Sequence, residues 1–141
     1  MKLVKCVRAV APRSSARNYT DWPYLKEEHI MIAQMCRNFA ETELKPIAGK
    51  LDKERQFPTE QIRKLGELGM MGVQVSTDFG GSGMDAVTYS IAMEEVSRGC
   101  ASSGVIMSAH NLYCSAIEKF GTLEQKNEFL TPWYSSKLQS S

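Results

Sequence analysis

Between Tyr89 and Phe120 the chain carries two helical patterns separated by one short break, and the second is apolar on more than one side. In the first, Tyr89, Ala92, Met93 and Val96 recur at i, i+3, i+4, i+7, the stripe of a core-facing helix, with Glu94, Glu95 and Arg98 elsewhere on its circumference. Asp85 stands where an N-cap carboxylate belongs and Gly99 where a C-terminal glycine belongs, so this helix is expected over Asp85 to Arg98. After Gly-Cys-Ala-Ser-Ser a partner helix is expected over about Ser102 to Phe120. Ala109, Leu112, Tyr113, Ala116, Ile117 and Phe120 form one long apolar stripe on it, and Met107, His110, Asn111 and Cys114 form a second face. A helix with two such faces must be covered on both. The long stripe is expected against the chain's own bundle, which leaves the second face to meet something else; the alternative is that the second face meets neighbouring helices, with His110 merely hydrogen-bonded.

The rest of the chain reads as helices with short links. A helix begins near Leu25, with Ile32, Met35, Cys36 and Phe39 on one face. Pro46 marks a break or the first turn of a second helix running to about Glu54, since proline lacks the N–H that a helix interior needs. Pro58-Thr59 opens a third, with Ile62, Leu65 and Leu68 inward and Gly69 ending it. Met71 to Val75 reads as a short extended piece before the loop Phe79-Gly80-Gly81-Ser82-Gly83. Thr122-Leu123-Glu124-Gln125 fits a capping box that starts a last helix, which Pro132 ends at Thr131. The fold class is therefore all-α, an orthogonal bundle of about six helices over residues 20–134. Residues 135–141, from Ser135 to Ser141, have no pattern and are expected to be a disordered tail.

The net charge of +1 conceals an asymmetry. Residues 1–19 hold Lys2, Lys5, Arg8, Arg13 and Arg17 and no acid. Setting those five aside leaves 12 basic against 16 acidic residues, a net of −4 for the body. Such a body gives no basic footprint for nucleic acid. The first 19 residues read as a mitochondrial transit peptide, basic and acid-free, with Leu3, Val4, Val7, Val10 and Ala11 apolar at helical spacing. Arg17-Asn18-Tyr19 before Thr20 looks like a matrix-processing site of the Arg-x-Tyr type, and a disordered basic tail is the alternative. Cys36, Cys100 and Cys114 remain beyond the leader, without a C-x-x-C or clustered histidines, so neither a disulfide framework nor a zinc site is supported.

Three patterns with catalytic associations reduce to structural readings. Gly81-x-Gly83-x-x-Ala86 matches the form of a dinucleotide fingerprint, but about twenty residues past Ala86, where a second strand and a ribose-binding acid are required, Val105 to Ala109 reads as another helix without an acid, so the motif reads as a turn. Glu94 and Glu95 are helix neighbours about 100° apart and cannot share a proton. They read as a solvated or inter-domain face pairing with Arg98. Ser102 and Ser103 have no histidine placed to activate them.

Five ordered blocks carry a family resemblance: FAETELKPIAGKLDKERQFP (Phe39–Pro58), LGELGMMGVQV (Leu65–Val75), FGGSGMD, IAMEEVSRGCASSGVIMS and KFGTLEQKNEFLTPW (Lys119–Trp133). From about Leu25 to Trp133 the chain resembles the amino-terminal helical domain of the acyl-CoA dehydrogenases, most like the short-chain (butyryl) branch. Between Ser108 and Phe120 it is one residue shorter than the family pattern, which leaves the register of Asn111 and Cys114 open.

The resemblance implies α,β-dehydrogenation of short-chain acyl-CoA in fatty-acid β-oxidation. A glutamate takes the α-proton, FAD accepts the β-hydride, and electrons leave to electron-transfer flavoprotein. It also implies a homotetramer in the mitochondrial matrix. It places the acyl-pocket wall on the Ser102–Phe120 helix, at Met107, His110, Asn111 and Cys114. The catalytic glutamate and flavin contacts of the family belong to a middle β-domain and a carboxy-terminal helical domain whose motifs are absent from these 141 residues. No catalytic or flavin-binding residue is therefore assigned, and the chain alone is expected to be inactive and not to hold FAD. The alternative is a non-enzymatic helical module that binds acyl-CoA or a partner subunit.

Overall fold

The computed structural model describes Tyr19 and residues 22–130. The leader reading up to Asn18, the helix stop at Thr131-Pro132 and the tail at 135–141 lie outside the described residues. Among the described residues the architecture is all-α, as expected: α1 (Glu27–Phe39), α2 (Lys45–Glu54), α3 (Thr59–Glu67), α4 (Ala86–Gly99), α5 (Ala101–Phe120) and α6 (Leu123–Phe129). None of these is long and apolar enough to cross a membrane.

Pro46 does not break the chain's helical path. A π-helical turn, Ala40–Leu44, joins α1 to α2, and the Lys45 N–H donates to the Ala40 carbonyl five residues back. Pro46 sits in the first turn of α2, where its missing N–H costs least. Arg55, at φ 52°, then ends α2 in the left-handed region.

α1 packs chiefly on α4, and α4 on α5. Cys36, Phe39, Ala40, Leu44, Leu65, Met70, Val73, Ala92, Val96 and Met107 form the main core. A smaller cluster joins Val75, Cys114 and Leu130 beneath α6. Gly99 is the last residue of α4, and its value is close approach rather than a left-handed turn. A Cβ there would lie 2.8 Å from the Ala40 Cβ and carbonyl oxygen.

The local caps follow the sequence. The Asp85 carboxylate accepts the Thr88 N–H at 2.8 Å and starts α4. Thr122 and Gln125 exchange the two bonds of a capping box at α6.

Candidate functional site

The piece from Met71 to Val75 forms no strand. Its backbone groups are satisfied in two other ways. Amides of the glycine loop donate into it: Ser82 N–H to the Gly72 carbonyl at 2.9 Å, Gly83 to Val75 at 2.8 Å and Met84 to Val73 at 2.7 Å. From the other side α5 supplies side chains. Asn111 Oδ1 accepts the Val73 N–H at 2.9 Å, and Glu118 Oε1 accepts the Ser76 N–H at 2.8 Å. Asn111 Nδ2 donates to the carbonyls of Met70 at 3.0 Å and Met107 at 2.9 Å. The buried amide thus makes three bonds, which is what makes its burial tolerable.

That loop offers no amide cradle for a pyrophosphate. Its N–H groups point back into the chain, and a Cβ at Gly81 would lie 2.2 Å from the Val75 carbonyl oxygen. Gly81 is therefore required by its own chain's approach, not by a ligand's, and the residues present do not fit FAD at this loop.

The two faces of α5 are assigned the opposite way from the sequence expectation. Met107 and Cys114 are fully buried, Asn111 is 4% exposed, and all three face the bundle beside Ser103 and Gly104. The long stripe expected to be core is bare: Leu112 is 72% exposed and Phe120 80%, with Tyr113, Ala109 and Ala116 also exposed. Only Ile117 of that stripe packs, against the small cluster under α6. The reason is steric and polar together. The buried face carries small residues that let α5 approach α4 closely, and an amide whose partners lie on the 70–73 backbone.

Of the four residues assigned to an acyl pocket, the structure brings Met107, Asn111 and Cys114 into the chain's own interior. His110 is half-buried, its ring centroid 6.5 Å from that of Tyr113, and burial pushes its imidazole below the usual histidine range. Within this chain His110 alone of the four presents appreciable surface to a ligand.

Two polar groupings escaped the sequence in whole or in part. Glu95 is 2% exposed, not solvated as expected. Arg37 grips it with two bonds, Nε to Oε2 at 3.1 Å and Nη2 to Oε1 at 2.7 Å, and Arg98 adds a third at 3.1 Å. Burial disfavours the carboxylate, but the Arg37 bonds and the two guanidinium charges outweigh it and hold the carboxyl below its ordinary range. Arg98 continues to Glu41 at 2.9 Å, so the network ties α1, the π turn and α4 together.

The second grouping is Glu28, His29 and Asp85, whose ligand-type atoms lie within 4.8 Å of one another. Glu28 and Asp85 line a cleft of about 420 Å³. His29 Nδ1 accepts the Lys26 N–H at 3.2 Å, which assigns the ring proton to Nε2, and Nε2 donates to Asp85 at 3.1 and 3.2 Å. No lone pair is left on that imidazole for a cation, so the trio reads as a link between the starts of α1 and α4. The Arg98 bond is the short-range pairing the sequence suggested; the Arg37–Glu95 and His29–Asp85 links join residues 58 and 56 apart, beyond any short-range pattern.

The family described as "Acyl-CoA dehydrogenase, N-terminal domain" matches residues 26–137. A rat relative, the mitochondrial short-chain specific acyl-CoA dehydrogenase of Rattus norvegicus, is 50% identical over 129 residues, covering 89% of this chain and 31% of the relative. Among solved structures, butyryl-CoA dehydrogenase from Megasphaera elsdenii superposes with a TM-score of 0.72 at 28% identity, over 85% of this chain and 31% of that one. An acyl-CoA dehydrogenase complexed with FAD, from Bacillus anthracis, gives 0.71 at 26% identity, over 81% and 20%. The chain thus spans about a third of the length of the curated relatives it matches. With the helix order, the caps and the matched span in agreement, this chain belongs to the acyl-CoA dehydrogenase family and corresponds to its amino-terminal domain.

Proposed function

We propose that this chain is the amino-terminal part of a short-chain acyl-CoA dehydrogenase working in the mitochondrial matrix, where it helps to wall the acyl site during α,β-dehydrogenation of short-chain acyl-CoA. The observation that carries the reading is the bare face of α5. Val105, Leu112 and Phe120 are each more than two-thirds exposed on one helix, and a row of that kind asks for a covering surface. The remainder of a three-domain enzyme supplies one. His110 is the acyl-facing residue of α5, and Met107, Asn111 and Cys114 act from behind it by fixing α5 against the 70–76 segment. The basic, acid-free segment before Tyr19 is the import leader, in keeping with the mitochondrial relatives.

FAD is the hydride acceptor in the assembled enzyme, electron-transfer flavoprotein the electron acceptor, and a homotetramer the assembled state. The 141 residues by themselves hold no FAD and have no dehydrogenase activity.

A chimera tests this reading. Residues 22–130 replace the matching third of the rat enzyme, and flavin content and butyryl-CoA oxidation are measured. A flavin-loaded tetramer within about tenfold of the parent rate, roughly 1.4 kcal/mol in barrier, is expected. A folded, flavin-loaded chimera inactive on butyryl-CoA sinks the short-chain assignment. Calorimetry on the chain alone addresses the alternative: saturable butyryl-CoA binding without the other domains makes the helical-module reading the better one.

A further inference from the structure

Tyr19 is the residue at which the sequence reading ends the leader, with the cut before Thr20. The structure packs it as part of the body. It is 7% exposed and clusters with Ala33 of α1 and Ile91 of α4, with Leu25 and Ile30 against them. The guanidinium of Arg37 lies 5.6 Å above its ring. That same guanidinium grips buried Glu95, so the Tyr19 ring shields one flank of the network joining α1 to α4. Its carbonyl accepts the Trp22 N–H at 3.2 Å, and the Trp22 carbonyl accepts the Leu25 N–H at 3.2 Å, which walks the chain into α1. Tyr19 also forms one wall of a cleft of about 350 Å³ with Trp22, Leu25, Val87, Ile91 and Glu94.

A chain beginning at Thr20 loses all of this at once. The Trp22 amide loses its acceptor, Ala33 and Ile91 are laid open, and one flank of the Arg37–Glu95 pair becomes wet. Truncation tolerance follows the burial and bonding of the affected backbone, not its position in the sequence, and by that criterion Tyr19 belongs to the domain.

We propose that Tyr19 is the first packing residue of the folded domain and that removal of the leader leaves it in place, so that the processed amino terminus lies at or before Tyr19 and not at Thr20. The inference rests on the import-leader reading above and sets where that leader ends. Cleavage of the Asn18–Tyr19 bond, two residues past Arg17, is the last cut along the chain that satisfies it.

The test is import of the radiolabelled 141-residue chain into isolated mitochondria, followed by mass spectrometry of the protease-protected product's amino terminus. A shortened product that still contains Tyr19 is expected. A product beginning at Thr20 or later overturns the boundary while leaving the leader reading standing. A chain that is not imported, or is imported and never shortened, overturns the leader reading and the boundary with it. Tyr19→Ala and Tyr19→Phe in the full chain supply the second readout. The imported Ala variant should disappear from the matrix several-fold faster than the wild type, with the Phe variant persisting like the wild type. Equal lifetimes for all three overturn the packing role.

Discussion

Asn111 takes the place of a neighbouring strand for Val73: its side-chain oxygen accepts the buried Val73 N–H at 2.9 Å while its amide nitrogen serves the Met70 and Met107 carbonyls. A segment too short to pair with a sheet is thereby held at a fixed height along α5. Asn111→Leu removes the clamp and leaves a buried donor and acceptor unmet, a loss of about 2–4 kcal/mol. Asn111→Asp should fare no better, since a carboxylate cannot donate to the two carbonyls. Urea unfolding of the chain checks both, and a change under about 0.5 kcal/mol in either refutes the clamp.

Arg37 and Glu95 predict an asymmetry between single and double replacement. Arg37→Ala leaves buried Glu95 held by Arg98 and should cost about 3 kcal/mol, whereas Glu95→Ala leaves Arg37 with a side chain that already reaches solvent and should cost less. Arg37→Met combined with Glu95→Leu should recover most of that loss, because an apolar pair needs no compensation for burial. A double variant as unstable as the sum of the singles would show that the pair is worth its charges. The Glu95 carboxyl is depressed in the folded state, so its stabilisation is full above the ordinary glutamate range and fades as pH falls below it. Glu95→Gln should flatten that part of the acid limb.

Asp85 gives a separate acid signature at lower pH. Its carboxyl drops from 3.8 to about 2, chiefly through the bonds from the Thr88 N–H and hydroxyl and further through His29. Its contribution is complete above pH 3.8 and is lost as pH falls through about 2. Asp85→Asn keeps a capping oxygen but cannot titrate. Circular dichroism from pH 5 to pH 1.5 should show a shallower loss below pH 3.8 for Asp85→Asn than for the wild type, and identical curves would remove Asp85 from acid unfolding.

The bare stripe on α5 predicts self-association of the chain on its own. Leu112→Ser with Phe120→Ser should lower the apparent mass in sedimentation and the binding of an apolar dye. Stability should move by less than about 0.5 kcal/mol, as for exposed positions generally. A wild-type chain that sediments as a monomer at all concentrations would remove the case for an uncovered face.

What the sequence disclosed was local. The Asp85 cap, the Thr122–Gln125 box and the Pro58-Thr59 start all depend on residues within one turn of each other, and each is where the pattern put it. The faces of α5 were reversed because both are apolar enough to be core, and the deciding partners lie 38 and 41 residues away on a backbone with no pattern of its own. Hydrophobicity favoured Leu112 and Phe120; close packing and hydrogen bonding favoured Gly104, Met107 and Asn111. Glu95 was half legible: its pairing with Arg98, three residues on, is found, while its burial depends on Arg37, 58 residues distant. The π turn leaves no compositional trace in Ala-Glu-Thr-Glu-Leu.

That turn preserves the angular phase of everything after it. An α-helix advances about 100° per residue, and a five-residue π bond absorbs one residue without interrupting the rod. Ala40 and Leu44 remain inward on either side of it, and Ile47, Ala48 and Leu51 follow as the half-buried edge of an α2 that contributes no fully buried residue. Deleting one residue between Ala40 and Leu44 would restore an ordinary α-helix and leave that edge at nearly its present angle, because a π turn spreads about one α-turn of rotation over one more residue. A deletion within α2 itself has no such buffer and would turn the residues beyond it by about 100°, away from Cys100 and Ser102 at the start of α5. At this junction the π turn lets the chain carry one residue more than a plain helix would, without turning α2 out of its place.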